Sequence, residues 1–419
     1  MHTSLQQMVT LAIAVLSLCP FQLNQAQVLS DEQLDTYALG QSFVSKPWVA
    51  APAATTARDG LGPLYNANTC LSCHPKQGRG NTLLNNDHID RSLLLKTSNP
   101  VTRVDPVYGD QININAIHGV KFEATPKVQF KTIAFTYPDE STVALKQPVF
   151  SLTNLQYGPL HPQTTLLPRL APALFGLGLL ESIPDNLILQ RSDPNDLNQD
   201  GISGRPHWVN VNSTRKLGRF NWKASATSIQ QQITLALSHD MGLTSPDLAN
   251  ENCTKPQIKC KNAPKGSALD ISRERIQAMS FYISQQAVPK PTTQQPSALG
   301  QQHFVTFGCN LCHTSQYQLS ESVIIKPYSD LLLHDMGPDL SDKHSKADSM
   351  NNEWRTPPLW GIGQAKVLNK KAGFLHDGRA ATLEHAILWH GGEATKAKQA
   401  FIQGTKAQRN QLIQFLRSL

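Results

Sequence analysis

Two pentapeptides carry the chemistry most open to reading: Cys70-Leu71-Ser72-Cys73-His74 and Cys309-Asn310-Leu311-Cys312-His313. Each is Cys-x-x-Cys-His, the pattern by which a chain takes up haem c. Thiols three residues apart lie on one helical turn, where each can form a thioether to a haem vinyl group. The His that follows then falls beneath the porphyrin as an iron ligand. A zinc knuckle or a redox Cys-x-x-Cys is the plainer alternative, but a zinc site does not require His directly after the second Cys. The spacing therefore predicts two covalently bound haem c groups, attached at Cys70, Cys73, Cys309 and Cys312, with His74 and His313 as proximal ligands.

The elements that must position these motifs are read from 419 residues, enough for two or three domains. Hydrophobic residues make up 40% and charged residues 16%, consistent with a sizeable core. The net charge of +7 is spread without a Lys/Arg run, so no nucleic-acid partner is expected. It favours acidic redox partners no more than it favours a merely solvated positive surface.

Met8–Leu18 is an apolar run of the length of a signal-peptide core and too short to span a bilayer, with a small-residue cleavage region near Ala26. Residues 1–27 are therefore expected to direct export to the periplasm. Cys19 follows Leu18, which is not the small residue a lipid-anchor site wants. No later run reaches the length of a membrane span. Cys253 and Cys260, in one short loop, are expected to pair as a disulfide in an oxidising compartment.

The chain reads as mainly α. An N-terminal haem domain is expected over 28–290 and a C-terminal one over 291–419, divided at Pro289–Pro296. Alternation in Val128–Phe135 and Thr142–Lys146, across a Pro-Asp turn, predicts a β-hairpin inserted in the first. Leu170–Glu181 reads as an apolar helix, and residues 227–240, 268–286 and 407–419 as further helices. Asp196-Leu197-Asn198-Gln199-Asp200-Gly201 has the oxygen donors and turn glycine of half a calcium loop, with no closing acid at His207. Calcium at Asp196, Asn198 and Asp200 and a bare Asx-rich turn both remain open. His-Asp-Met-Gly occurs at 239–242 and again at 334–337, a short echo of duplicated loops.

Longer stretches carry a resemblance. They include Tyr157–Pro162, Pro168–Pro172 with Gly176–Glu181, Asp200–Arg205, Leu217–Ala224, Glu353–Gly361, and Phe374–Arg379 running on to Trp389–Ala394. Together they resemble the bacterial di-haem oxidoreductase family, whose members are labelled thiol oxidoreductases or peroxidases. The resemblance runs from about residue 60 to Leu419 and implies two cytochrome c-like haem domains. More distantly, the C-terminal block is similar to di-haem cytochrome c peroxidases. There a His-x-Gly turn precedes a helix that ends in the distal ligand of the second haem. Here that position falls on His390, where those enzymes place Met; Met336 is the competing ligand.

The resemblance implies electron transfer between two haems and peroxidase-type reduction of a small-molecule oxidant. A small redox protein or a quinol-linked donor would supply the electrons. Thiol oxidation and simple electron carriage are the rival readings. An acid-base group is then needed near the first haem. Glu181, in the apolar helix, and His161 are the candidates, His161 also as a displaceable ligand. Trp360 and Trp389 read either as packing aromatics, the commoner role, or as residues between or beside the haems that assist electron transfer.

Overall fold

The computed structural model describes residues 29–82, 89–291, 297–342 and 350–419. The export segment, Cys19 and residues 292–296 of the expected linker lie outside the described residues. No helix among them is long and apolar enough to cross a membrane.

Ser and Thr start the helices. Ser30 caps α1 (Asp31–Ser45) with a reciprocal Gln33 box, and Thr69 caps the single turn α2 (Cys70–Cys73). Ser228, Ser272 and Ser297 cap α3 (Ile229–Met241), α4 (Arg273–Ser284) and α5 (Ala298–Thr306). Thr382 caps α6 (Leu383–Trp389), and Thr405 with Gln408 boxes α8 (Lys406–Arg417), which follows α7 (Thr395–Gln403). Each hydroxyl accepts a backbone N–H that the first turn cannot satisfy itself.

The helix before each Cys-x-x-Cys-His crosses a later helix through a glycine. A Cβ on Gly40 of α1 would sit 2.0 Å from the Ala278 carbonyl oxygen of α4. One on Gly300 of α5 would sit 2.2 Å from that of Gln411 in α8. Only a hydrogen at these positions permits so close a crossing.

The expected mainly α chain of two cytochrome c-like domains is corrected by the structure: 31% is helix and 19% strand. The strands pair as six small antiparallel ribbons. Leu93–Ser98 alternates buried and half-buried residues and pairs with Thr165–Leu170 (Leu93 opposite Leu170). Thr125–Thr136 and Thr142–Thr153 form the expected hairpin, longer than the alternation alone marked. Leu333–Asp335 pairs with Glu353–Arg355. The stretch Leu170–Glu181 is not one helix. Pro172 lacks an N–H, Gly176 takes φ +74°, and only Leu177–Glu181 is helical.

Two cores result. One gathers Phe43, Trp48, Leu180, Ile229, Leu237, Ile276 and Met279, together with Leu331, Leu332 and Trp360 from beyond residue 297. The other gathers Phe304, Trp354, Phe374, Leu388, Phe401 and Phe415, together with Tyr137, Leu145 and Trp222 from the N-terminal side. The hairpin tip docks on the second core, where the Tyr137 hydroxyl donates to Glu384 at 2.9 Å and Arg409 pairs with Asp139 at 2.6 Å. Cys253 and Cys260 form the expected disulfide.

Candidate functional site: two cavities and their shared wall

A cavity of about 590 Å³ opens beside α2 and is lined by Cys70, Cys73 and His74. A second, of about 600 Å³, is lined by Cys309, Cys312 and His313. Both fall within the range of cofactor sites. His74 Nδ1 lies 2.6 Å from the Pro172 carbonyl oxygen and His313 Nδ1 lies 2.9 Å from that of Tyr328. A carbonyl only accepts, so each Nδ1 carries the proton and each Nε2 keeps its lone pair for a ligand. Burial holds both imidazoles neutral, with pKa lowered to about 4. Burial also pushes the Cys70 and Cys309 thiols up to about 12 and raises those of Cys73 and Cys312. All four thiols are free. Among the described residues, three metal-ligating groups converge only at Glu251, Cys253 and Cys260, of which the cysteines are already bonded to each other. Neither pentapeptide is part of that cluster. Cavities of this size, each with two thiols and a tethered neutral imidazole, fit haem.

The second cavity holds another imidazole prepared in the same way. His390 caps the C-terminus of α6, its Nδ1 donates to the Ala386 carbonyl at 2.7 Å, and burial lowers its pKa. Met336 lines the same cavity. His334 also lines it, but both ring nitrogens are engaged: Nδ1 with Glu393 at 2.7 Å and Nε2 with Asp330 at 2.8 Å.

The first cavity differs on one helix face. Much of α3 lines it, Gln231, Ile233, Leu235 and Leu237 among them; Gln232, Ala236 and Asp240 share one face of the helix, spaced four residues apart. The Gln232 carbonyl accepts from the Asn221 amide at 3.1 Å, which leaves its own N–H groups to the cavity. Asp240 Oδ1 accepts from Gln111 Nε2 at 2.8 Å, and burial raises its pKa to about 6. Gln111 Oε1 is buried without a partner. His239, 3.6 Å from Asp110, lines the same wall.

α3 and α6 are corresponding elements. Phe220 bridges Ala226 and Phe374 bridges Ala380, each closing a loop that ends at the capping Ser228 or Thr382. Counting eight residues on from each cap reaches Ala236 inside α3 and His390 at the residue that ends α6. The His-Asp-Met-Gly echo does not mark this correspondence, since His239–Met241 ends a helix while Leu333–Asp335 is a strand.

Arg79, Trp222, Arg355, Pro357 and Ile362 line both cavities and form their common wall. Trp222 Nε1 donates to the Leu170 carbonyl at 2.7 Å. Sequence reading passed over Trp222; its signal was its place two residues after Phe220, matching His376 after Phe374. Trp360 lines the first cavity, and Trp389 is buried but lines neither.

Glu181 and His161 line neither cavity. Glu181 is exposed and accepts the Ile229 N–H at 2.8 Å, closing the start of α3. His161 bonds Asn99 at 2.8 Å beside the Leu93–Ser98 strand. Asp196, Asn198 and Asp200 lie on an exposed loop and accept N–H groups of the loop itself, and Lys396 Nζ donates to the Asp200 carbonyl at 2.7 Å.

Residues 114–419 match the family model described as "Di-haem oxidoreductase, putative peroxidase". The chain belongs to this di-haem oxidoreductase family. The match starts beyond Cys70–His74, so the first attachment motif rests on this chain's own residues and cavity. No curated protein and no solved structure matches the chain.

Proposed function

We propose that the chain is an exported di-haem c-type oxidoreductase that reduces a small oxidant of the hydrogen peroxide class in the first cavity, with electrons relayed from the second. The observation that carries this reading is the difference between corresponding helices: an imidazole at His390 and a methyl group at Ala236. Export is supported by Met8–Leu18 and by the Cys253–Cys260 disulfide.

Haem bound in each cavity, by thioethers to Cys70 and Cys73 and to Cys309 and Cys312, would supply the redox-active iron. His74 and His313 would hold the two irons. His390 would close the second site with a strong neutral donor, which stabilises ferric iron and lowers its potential. Ala236 would leave room for the oxidant. Peroxide needs two electrons and two protons to give two waters. Asp240, which lines this cavity, would take the proton from one peroxide oxygen and return it to the other. The Gln232 amide would donate a hydrogen bond to the oxidant.

Trp222 is the route between cavities. Among the described residues no cation sits on its ring, whereas Trp354 has the Lys223 ammonium 3.7 Å from its centroid, with His376 stacked on it at 3.7 Å. A cation on the ring opposes removal of an electron from it. A small redox protein or quinol-linked donor would feed the second site.

Spectra of each iron test the reading. One high-spin and one low-spin haem, with peroxide reduction, are expected; two low-spin haems and no turnover mean an electron carrier. His390→Ala should convert the low-spin signal to high-spin, while Met336→Ala changes little. Cys70→Ala or Cys309→Ala should each lower acid-stable haem from two per chain toward one, by pyridine haemochrome assay.

A further inference from the structure

We infer that Arg79 and Arg355 form one anion site in the wall between the cavities, and that its ligands are the carboxylate side chains of both porphyrins. This rests on the haem reading above and assigns the residues that neutralise the cofactors.

The two guanidiniums are 8% and 7% exposed, and both line both cavities. Arg355 spends its Nε on the Asn221 carbonyl at 2.7 Å and one terminal nitrogen on the Thr356 carbonyl at 3.3 Å. The Arg79 side chain makes no hydrogen bond among the described residues, and no carboxylate pairs with either arginine there. Other deeply placed arginines of this chain are treated differently: Arg169 pairs with Asp342, Arg219 with Asp185, Arg379 with Asp377 and Arg409 with Asp139. Two neighbouring cations left without a counter-ion are costly to bury. Burial already lowers the pKa of each to about 10; for Arg355 the charge of Arg79 adds to the effect, and that of Asp330, itself bonded to His334, only partly opposes it.

The missing negative charge must therefore come from what fills the cavities. A porphyrin carries two propionates, and planar carboxylates suit the guanidinium fork. Arg79 lies five residues beyond His74 and Arg355 lies at the end of the strand Glu353–Arg355, so each half of the chain supplies one cation.

The test uses the holoprotein with Arg79→Gln and Arg355→Gln, and with Lys at each position as the charge-retaining control. Haem content should stay at two per chain. Removing a positive charge favours ferric iron, so the midpoint potentials of both haems should fall together. They should also become pH-dependent between about pH 5 and 8, because propionates that lose their counter-ion take up protons more readily. Propionate-bending bands in resonance Raman spectra should shift, and Lys should restore most of each effect. Two haems with unchanged potentials and bands, or variants that each move one haem alone, overturn the inference. Fewer than two covalent haems in the parent chain would instead overturn the reading beneath it. If the Gln variants do not fold, the parent chain decides: its propionate bands should not titrate between about pH 5 and 8, and titration in the ordinary carboxylate manner counts against the site.

Discussion

Ala236→His should switch off peroxide reduction while leaving both haems attached. The position faces the first cavity from α3 as His390 faces the second from α6, the same number of residues past the capping hydroxyl. An introduced imidazole there would bind the iron opposite His74. A bond worth about 3 kcal/mol leaves on the order of 1% of sites open, so turnover should fall by about 10²-fold or more. Electron paramagnetic resonance should show the high-spin signal replaced by a second low-spin one. Unchanged spin state and unchanged rate would mean that α3 does not supply the distal face, and the peroxidase reading would lose its main support.

Asp240→Asn should remove the proton-transfer group and keep the site open. The expected loss is about 10²–10⁴-fold in kcat/KM with peroxide. The pH profile gives the sharper reading. Peroxide must lose a proton to a base, so only ionised Asp240 serves, and kcat/KM in the parent chain should rise with pH through about 6. That limb should vanish in the Asn variant. Stability separates this from unfolding. The folded pKa is raised by burial from the ordinary carboxyl value of 3.8, so the native state binds the extra proton between about pH 4 and 6. Stability therefore falls as pH rises through that window, and Asn, which never ionises, should not be less stable than Asp above it. A variant that loses rate only in proportion to lost folded protein would remove Asp240 from the chemistry.

What the sequence made legible was local. Cys70–His74 and Cys309–His313 need one turn each, and their thiols and imidazoles line the cavities they announce. His390 was reachable because a turn and a helix of fixed length carry it. Gln111, Asp240 and the shared wall were not, since they meet only through tertiary packing: Gln111 and Asp240 are 129 residues apart in sequence. Glu181 misled because its apolar surroundings were taken for one buried helix. Pro172 and Gly176 break that stretch, and the five-residue helix that remains leaves Glu181 outward at its end. The share of strand was underestimated for a related reason. Leu93–Ser98 alternates over only six residues, and its partner Thr165–Leu170 contains Pro168, which is tolerated in a two-stranded ribbon but weakens the pattern.

The exchange of segments between the two cores also bears on the order in which the chain can fold. The first core is not complete until Leu331, Leu332 and Trp360 have been synthesised, and the second waits on Tyr137, Leu145 and Trp222 from much earlier. Contacts so distant along the chain close large loops and form late. Neither half can then finish folding ahead of the other, as successive independent domains would during synthesis. The Cys-x-x-Cys-His turns would thus remain reachable in an unfinished chain, and on the proposed reading that is when haem would be attached, before the cavities close around it. Severing the chain near residue 290 should accordingly yield two pieces that fold poorly apart and gain protease resistance only when mixed.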